Sequence, residues 1–223
     1  MTTERTGELS LARAVIYRFF SRCFSYPDGE LLGLLSGPGA GEYLDAWAYI
    51  GFDACEELAQ VTSWPEELST EDMVLELGKE YTRLFINAVP RIPAPPYSSV
   101  YLDRDGLVWG ESTSRVARLY EAAGLSIAES FGDIPDHISA ELEFASYLVL
   151  EEWKCRENAP GRAEELTSIE KEFLAEHLLR WAGVFLSRVI EHSNLAFYRT
   201  LSSLAIQFIE GEIKRFGKES EDD

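Results

Sequence analysis

The residues best suited to acid–base or metal chemistry in this chain are its three histidines, His137, His177 and His192. His137 and Glu141 lie one helical turn apart, a spacing that lets two ligands face one metal ion. A di-iron bundle would require paired Glu-x-x-His motifs and a zincin would require His-Glu-x-x-His, and the sequence contains neither. His177 falls on the line Phe173, His177, Trp181 at successive spacings of four, an apolar stripe in which a packed histidine with one hydrogen-bond partner is expected. His192, between Glu191 and Asn194 near a helix end, reads as an exposed residue offsetting the helix dipole. Gly-Pro-Gly-Ala-Gly at 37–41 lacks the Lys-Ser/Thr of a phosphate loop and reads as a turn between helices. Gly-x-Ser-x-Gly is absent, and no set of residues assembles nucleophile, base and electrophile.

The elements that must position these residues are helical. Leu9, Ala12, Ile16, Phe19 and Cys23 recur at threes and fours, which predicts a helix from Leu9 to Phe24 that Tyr26-Pro27-Asp28-Gly29 stops. Helices are expected next at Glu30–Ser36 and Glu42–Val61, with Gly37-Pro38-Gly39 between them and Trp64-Pro65 closing the second. Ser69 or Thr70 can cap a helix whose stripe is Met73, Leu77, Tyr81, Leu84 and Phe85, and Glu71 and Asp72 suit its positive end. Periodicity returns at Thr113–Ala123, which Gly124 ends, from Pro135 to about Glu157, at Ser168–Glu191 and at Asn194–Phe216. Between them, residues 87–112 carry four prolines in seven positions and are expected to form a long, extended, stiff connection. No strand-like alternation and no repeat occur. The expectation is one all-α domain over residues 1–217, a single bundle of roughly eight to ten helices, followed by an acidic, disordered tail at 218–223.

Composition narrows the function classes. Lys and Arg number 20 against 39 Asp and Glu, so the formal charge of −19 repels polyphosphate and excludes nucleic acid as a natural partner. A hydrophobic fraction of 46% with 12% aromatics is that of a packed globular chain. The three cysteines, Cys23, Cys55 and Cys155, form no CxxC and suggest neither a zinc cluster nor a disulfide framework, which fits a reducing cytoplasm. The polar start and the arginines within the first apolar stretch give no secretory signal, and no window approaches the ~18 apolar residues of a membrane span.

Polar and aromatic residues also stand where packing does not require them. Tyr97, Tyr101 and Trp109 punctuate the proline-rich connection, and Pro135-Asp136-His137 opens a helix. The tyrosines could pin the loop to the core and Asp136 could be a first-turn acid, or together they could line a binding groove. Two other classes remain open from the residues alone. One is a small metal-dependent hydrolase using His137, Glu141 and His177. The other is a scaffold presenting Pro90–Pro93 or Pro93–Pro96 as a polyproline ligand.

Four motifs in order carry a family resemblance. Glu80-Tyr81-Thr82-Arg83-Leu84-Phe85, then Pro95-Pro96-Tyr97-Ser98-Ser99-Val100-Tyr101, then Gly124-Leu125, then Pro135-Asp136-His137-Ile138-Ser139-Ala140-Glu141-Leu142-Glu143-Phe144 resembles the TorD/DmsD family of cytoplasmic chaperones. Phe173–Leu178 with Trp181 and Phe185 is similar to the same family's late helix. The resemblance implies an all-α fold and a redox-enzyme maturation protein, not a catalyst. Such a protein binds the twin-arginine signal peptide and the apo catalytic subunit of a molybdopterin oxidoreductase until cofactor insertion and export. It implies no resident cofactor, with guanine nucleotide a remote association of the family, and a monomer or domain-swapped homodimer without membrane insertion. The leader-binding residues it assigns are Tyr81, Leu84, Phe85, Pro95, Pro96, Tyr97, Ser99, Tyr101, Asp136 and His137. Asp136 is expected to face a leader arginine, with His137 as its hydrogen-bonding neighbour. Ser98 stands where many members carry an acid. A basic segment followed by an apolar one is complemented by apolar walls with acidic rims. Burial of each large side chain contributes ~1.5–3 kcal/mol against ~0.2–1 kcal/mol for an exposed ion pair.

Overall fold

A computed structural model of the chain describes residues 2–36, 40–52, 54–62, 68–127 and 132–219. The helices are α1 (Thr2–Cys23), α2 (Gly29–Ser36), α3 (Ala40–Tyr49), α4 (Cys55–Thr62), α5 (Thr70–Tyr81), α6 (Ser98–Leu102), α7 (Glu111–Ala122), α8 (Ile138–Cys155), α9 (Pro160–Phe173), α10 (Leu179–His192) and α11 (Ala196–Glu219). No strand occurs among the described residues, and the fold is the all-α bundle that the periodicity predicts. The Gly37-Pro38-Gly39 and Trp64-Pro65 signals and residues 220–223 of the expected tail lie outside the described residues, while α11 continues through Glu219.

Helix α1 is the central rod. It packs on α8 and α3, and Ile16, Tyr17, Phe19, Phe20, Cys23 and Phe24 are fully buried along it. Arg13 is also buried there, because two carboxylates from distant helices meet it. Its Nε donates to Glu212 Oε1 at 3.0 Å on α11, and its Nη2 reaches both Glu212 and Glu170 on α9. Tyr17 Oη donates to Glu212 at 2.8 Å. Burial alone would raise Glu212, but Arg13 outweighs it and holds that carboxyl below its ordinary value; for Glu170 burial prevails and the value is raised. One cation thus ties three helices together.

Several boundaries differ from the periodic reading for identifiable reasons. The stretch expected as one helix at Glu42–Val61 is two, because Gly51 takes φ +86° and ends α3. Its N–H bonds Ala48 O at 3.1 Å while Phe52 N–H bonds Trp47 O at 3.0 Å, and the Phe52 ring packs on Trp47. This is the Schellman closure with its apolar contact. Gly124, at φ +83°, ends α7 by the same bonds to Glu121 and Tyr120. The expected Ser168–Glu191 helix starts earlier and is interrupted: α9 begins with Pro160 in its first turn, and a π-helical turn at Leu174–Leu178 joins it to α10.

Ser69 caps α5 in a reciprocal box with Asp72. A second π-helical turn, Thr82–Ile86, continues α5. Glu80, at the end of α5, receives Arg83 Nε at 2.8 Å, Ser193 Oγ at 3.1 Å and the Asn194 backbone N–H. Arg83 also donates to His192 O at 2.6 Å. The Glu-Tyr-Thr-Arg motif therefore staples α5 to the turn between α10 and α11.

The connection 87–112 is not wholly extended. After Pro96 it forms the short helix α6, and its anchors are Ala94 N–H on Leu84 O, Ile138 N–H on Pro96 O and Ser98 N–H on Asp136 O. Asp103 then accepts from Ser112 Oγ at 2.6 Å and fixes the start of α7. Ala94 and Pro96 are buried, so the Pro93–Pro96 segment is built into the fold, whereas Pro90 and Arg91 of Pro90–Pro93 are exposed.

Candidate functional site

Pro135 does not open α8; His137 caps it. Its Nδ1 accepts from Ser139 N–H at 3.2 Å and contacts Ser139 Oγ at 2.7 Å. With Nδ1 accepting a backbone proton, Nε2 carries the hydrogen and faces Tyr81 Oη at 3.3 Å, and that hydroxyl donates onward to Phe24 O at 3.2 Å. His137 is 3% exposed, and burial pulls its imidazole down to about 4 despite the nearby Asp133 and Asp136. It is neutral at pH 7.

Around this histidine the fold gathers a row of aromatic side chains. The Tyr97 ring stands edge-on to His137 at 5.4 Å, and the two residues form an antiparallel backbone bridge. The Tyr26 ring packs edge-on to Tyr81 at 5.3 Å. Asp133 closes the row from the surface, its Oδ2 accepting from Tyr97 Oη at 3.4 Å and lying 3.9 Å from His137 Nε2. Its side chain is 34% exposed. Beyond Tyr26 a groove of about 610 Å³ runs along α5, lined by Val74, Leu75, Gly78 and Thr82 with Glu71 at its edge. Lys79 there is matched by Glu76 at 2.6 Å.

Of the residues expected in the site, Tyr81, Pro96, Tyr97 and His137 come together here. Pro95 and Tyr97 also line a second groove. Leu84 and Phe85 belong to the core: Leu84 is fully buried, and Phe85 packs among Phe24, Tyr81, Phe185 and Tyr198. Tyr101 lies on Trp181 and Phe185 with Arg188 4.9 Å above its ring, and burial raises its phenol to about 12. Ser99 is buried.

Asp136 is turned inward. It is 0% exposed, and its Oδ2 accepts the Ser99 N–H at 2.9 Å, so this acid serves the first turn of α6 and does not face solvent. The accessible acid is Asp133, three residues earlier. Tyr26 and Asp133 were not singled out by the sequence. Tyr26 falls in a turn signal, where an aromatic side chain has no helix stripe to bury into, and that misfit is the cue that was available.

Glu141 and His177 do pair, but deep in the core. Glu141 Oε1 meets His177 Nε2 at 2.7 Å and its Oε2 accepts from Trp181 Nε1 at 2.9 Å, while both side chains are essentially inaccessible. Burial raises the Glu141 carboxyl, partly offset by His177, Trp181 and Ser98. His177 has the single partner its stripe suggests. Since His137 spends its nitrogens on Ser139 and Tyr81, and Glu141 its oxygens on His177 and Trp181, the turn-spaced pair does not converge. Among the described residues no group of three or more His, Cys, Asp or Glu is placed to hold a metal ion. Ser98 sits fully buried between Asp136 and Glu141, where an acidic residue would add a third buried carboxyl.

The sequence model of a family described as nitrate reductase delta subunit matches residues 51–187, which span the Tyr81–Tyr97–His137 cluster and the Glu141–His177 pair. A crystal structure of a protein from Archaeoglobus fulgidus, described as a redox enzyme maturation protein, is 30% identical. It superposes with a TM-score of 0.55 over 88% of this chain and 93% of that one. The chain belongs to the TorD/DmsD family. A Tat proofreading chaperone DmsD of Salmonella typhimurium is 31% identical over 150 residues, covering 67% of this chain and 65% of that protein. A chaperone protein TorD of Vibrio cholerae is 27% identical over 140 residues, covering 63% of this chain, and the match spans 62% of the relative's length. These TorD/DmsD relatives are chaperones rather than enzymes, and no described helix of this chain is long and apolar enough to cross a membrane.

Proposed function

We propose that this protein is a cytoplasmic chaperone for a molybdopterin oxidoreductase. It binds the twin-arginine leader and the apo catalytic subunit, and holds them until the cofactor is inserted and export can proceed. The observation that carries this reading is the row Tyr26, Tyr81, His137, Tyr97 with the accessible carboxylate of Asp133 beside it. The family relation supplies the class of client.

The leader's two chemical halves find different surfaces. Because His137 is neutral, the Asp133 charge is not cancelled by an imidazolium, and a guanidinium can meet the carboxylate beside the aromatic rings. The apolar stretch lies in the adjoining groove against Tyr26, Val74 and Leu75, of which Tyr26 and Leu75 are 56% and 55% exposed. Covering such side chains supplies most of the affinity, whereas the acid supplies orientation and association rate. Asp136 acts through α6: by capping it, this residue fixes the Tyr97–Ser99 backbone that carries the rim.

The test is capture of the client. Protein isolated from its native cells should carry a molybdopterin-oxidoreductase precursor with its leader intact, and deleting the leader should release it. Isolation free of any such precursor, or retention of the leaderless subunit at full yield, would overturn the reading.

A further inference from the structure

Next to Tyr97, at the end of the aromatic row, lies a groove of about 670 Å³. Its apolar wall is Pro93, Val100, Leu107 and Val108, and Leu107 and Val108 are 64% and 47% exposed. Two arginines, Arg91 and Arg188, converge on it from the proline-rich segment and from α10. Neither forms an ion pair among the described residues; Arg188 instead lies over the Tyr101 ring. The one acid on the rim, Glu191, stands 3.9 Å from His192. In a chain with 39 acidic residues and 20 basic ones, two unpaired arginines beside exposed aliphatic side chains are a local reversal of charge. The adjoining Trp109 strengthens the case. Its indole is 65% exposed and its backbone is left-handed at φ 72°, a conformation that a bulky residue rarely adopts.

We propose that this groove is a second docking site, and that its occupant is an extended polypeptide segment carrying apolar side chains next to carboxylates. The basic leader is the wrong occupant, because its arginines would face Arg91 and Arg188. An anionic membrane or nucleic acid would satisfy the arginines but presents an extended anionic surface to the whole molecule, whose net charge is −19, whereas a short segment meets only the groove. A peptide with its own aliphatic side chains uses both features, with Leu107 and Val108 giving contact and the arginines giving sign. The inference rests on this groove's own composition and does not require the leader site to be correctly assigned.

Three short fluorescent probes sharing the core Leu-Val-Ala-Leu, flanked by aspartates, asparagines or lysines, test it by anisotropy on the full chain. The aspartate probe should bind about fivefold to tenfold more tightly than the asparagine probe, and the lysine probe most weakly. Arg91→Gln with Arg188→Gln should abolish the difference between the aspartate and asparagine probes while leaving affinity for a twin-arginine leader peptide unchanged. The single surface change Arg91→Glu, which spares the Arg188–Tyr101 contact, should weaken the aspartate probe and strengthen the lysine probe. A lysine probe that binds the unaltered protein as well as the aspartate probe would overturn the proposal. So would an aspartate preference that survives both variants, or capture by phosphatidylglycerol vesicles in preference to the aspartate probe.

Discussion

Replacing Asp133 by asparagine keeps the shape of the rim and removes its charge. The carboxylate is about one-third exposed, its Oδ1 accepts the Ile134 N–H at 2.8 Å and its Oδ2 a long bond from Tyr97, and it has a neutral imidazole beneath it. A leader guanidinium at ~4 Å would gain about 4 kcal/mol at an effective dielectric of ~20 and about 1 kcal/mol in water, and partial desolvation removes some of either. A net contribution of about 1–2 kcal/mol follows, equivalent to about fivefold to thirtyfold in dissociation constant. The assay is a calorimetric double-mutant cycle, pairing Asp133→Asn with a leader whose arginines are glutamines. Each single change should produce that loss, and the two together little more than either, because both remove the same pair. Asp136→Asn, which alters an acid facing the core, should show no such coupling. Losses that simply add for Asp133, or coupling found at Asp136 instead, would refute the geometry argued here.

Three further outcomes follow from buried groups. Since burial lowers His137 to about 4 against an unfolded value near 6.5, the unfolded chain binds a proton that the native one refuses. Stability should therefore fall as pH drops from about 6.5 to about 4, by on the order of 3 kcal/mol from this group, and His137→Gln should flatten that part of a denaturation series. Glu141, raised by burial, acts in the opposite direction, so the difference between the two proteins is the quantity to compare. Asp136→Ala should lose about 1–3 kcal/mol by uncapping α6, seen as a melting point lower by about 2–12 °C. Glu80→Ala should cost about 2–3 kcal/mol, because it frees Arg83, Ser193 and Asn194 at once, with leader affinity unchanged where the variant is folded.

Helix content was legible because apolar residues recur near 3.6, and the stop at Gly124 because a glycine follows the last periodic residue. The stop at Gly51 was hidden by apolar residues on both sides that keep the period running. Helix α6 was unreadable in its own segment: the carboxylate that caps it is Asp136, 37 residues away. The same long-range pairing separates the two acids of Asp-Ile-Pro-Asp-His. Local spacing cannot tell which one turns inward, since that depends on where Ser99 N–H arrives. The motif residues do converge at Tyr81, Tyr97 and His137. Leu84, Phe85, Ser99 and Asp136 carry the same signature because they hold that cluster in place from below, and sequence does not distinguish a supporting residue from a contacting one.

The claim that this protein recognises a basic, apolar leader is tested most directly by titrating the purified chain with a twin-arginine leader peptide and with a peptide of the same composition in scrambled order. Saturable one-to-one binding of the leader is predicted, weakened by added salt and by Asp133→Asn, with the scrambled peptide at least about tenfold weaker. Equal binding of the two peptides, or no binding of the leader, would contradict it.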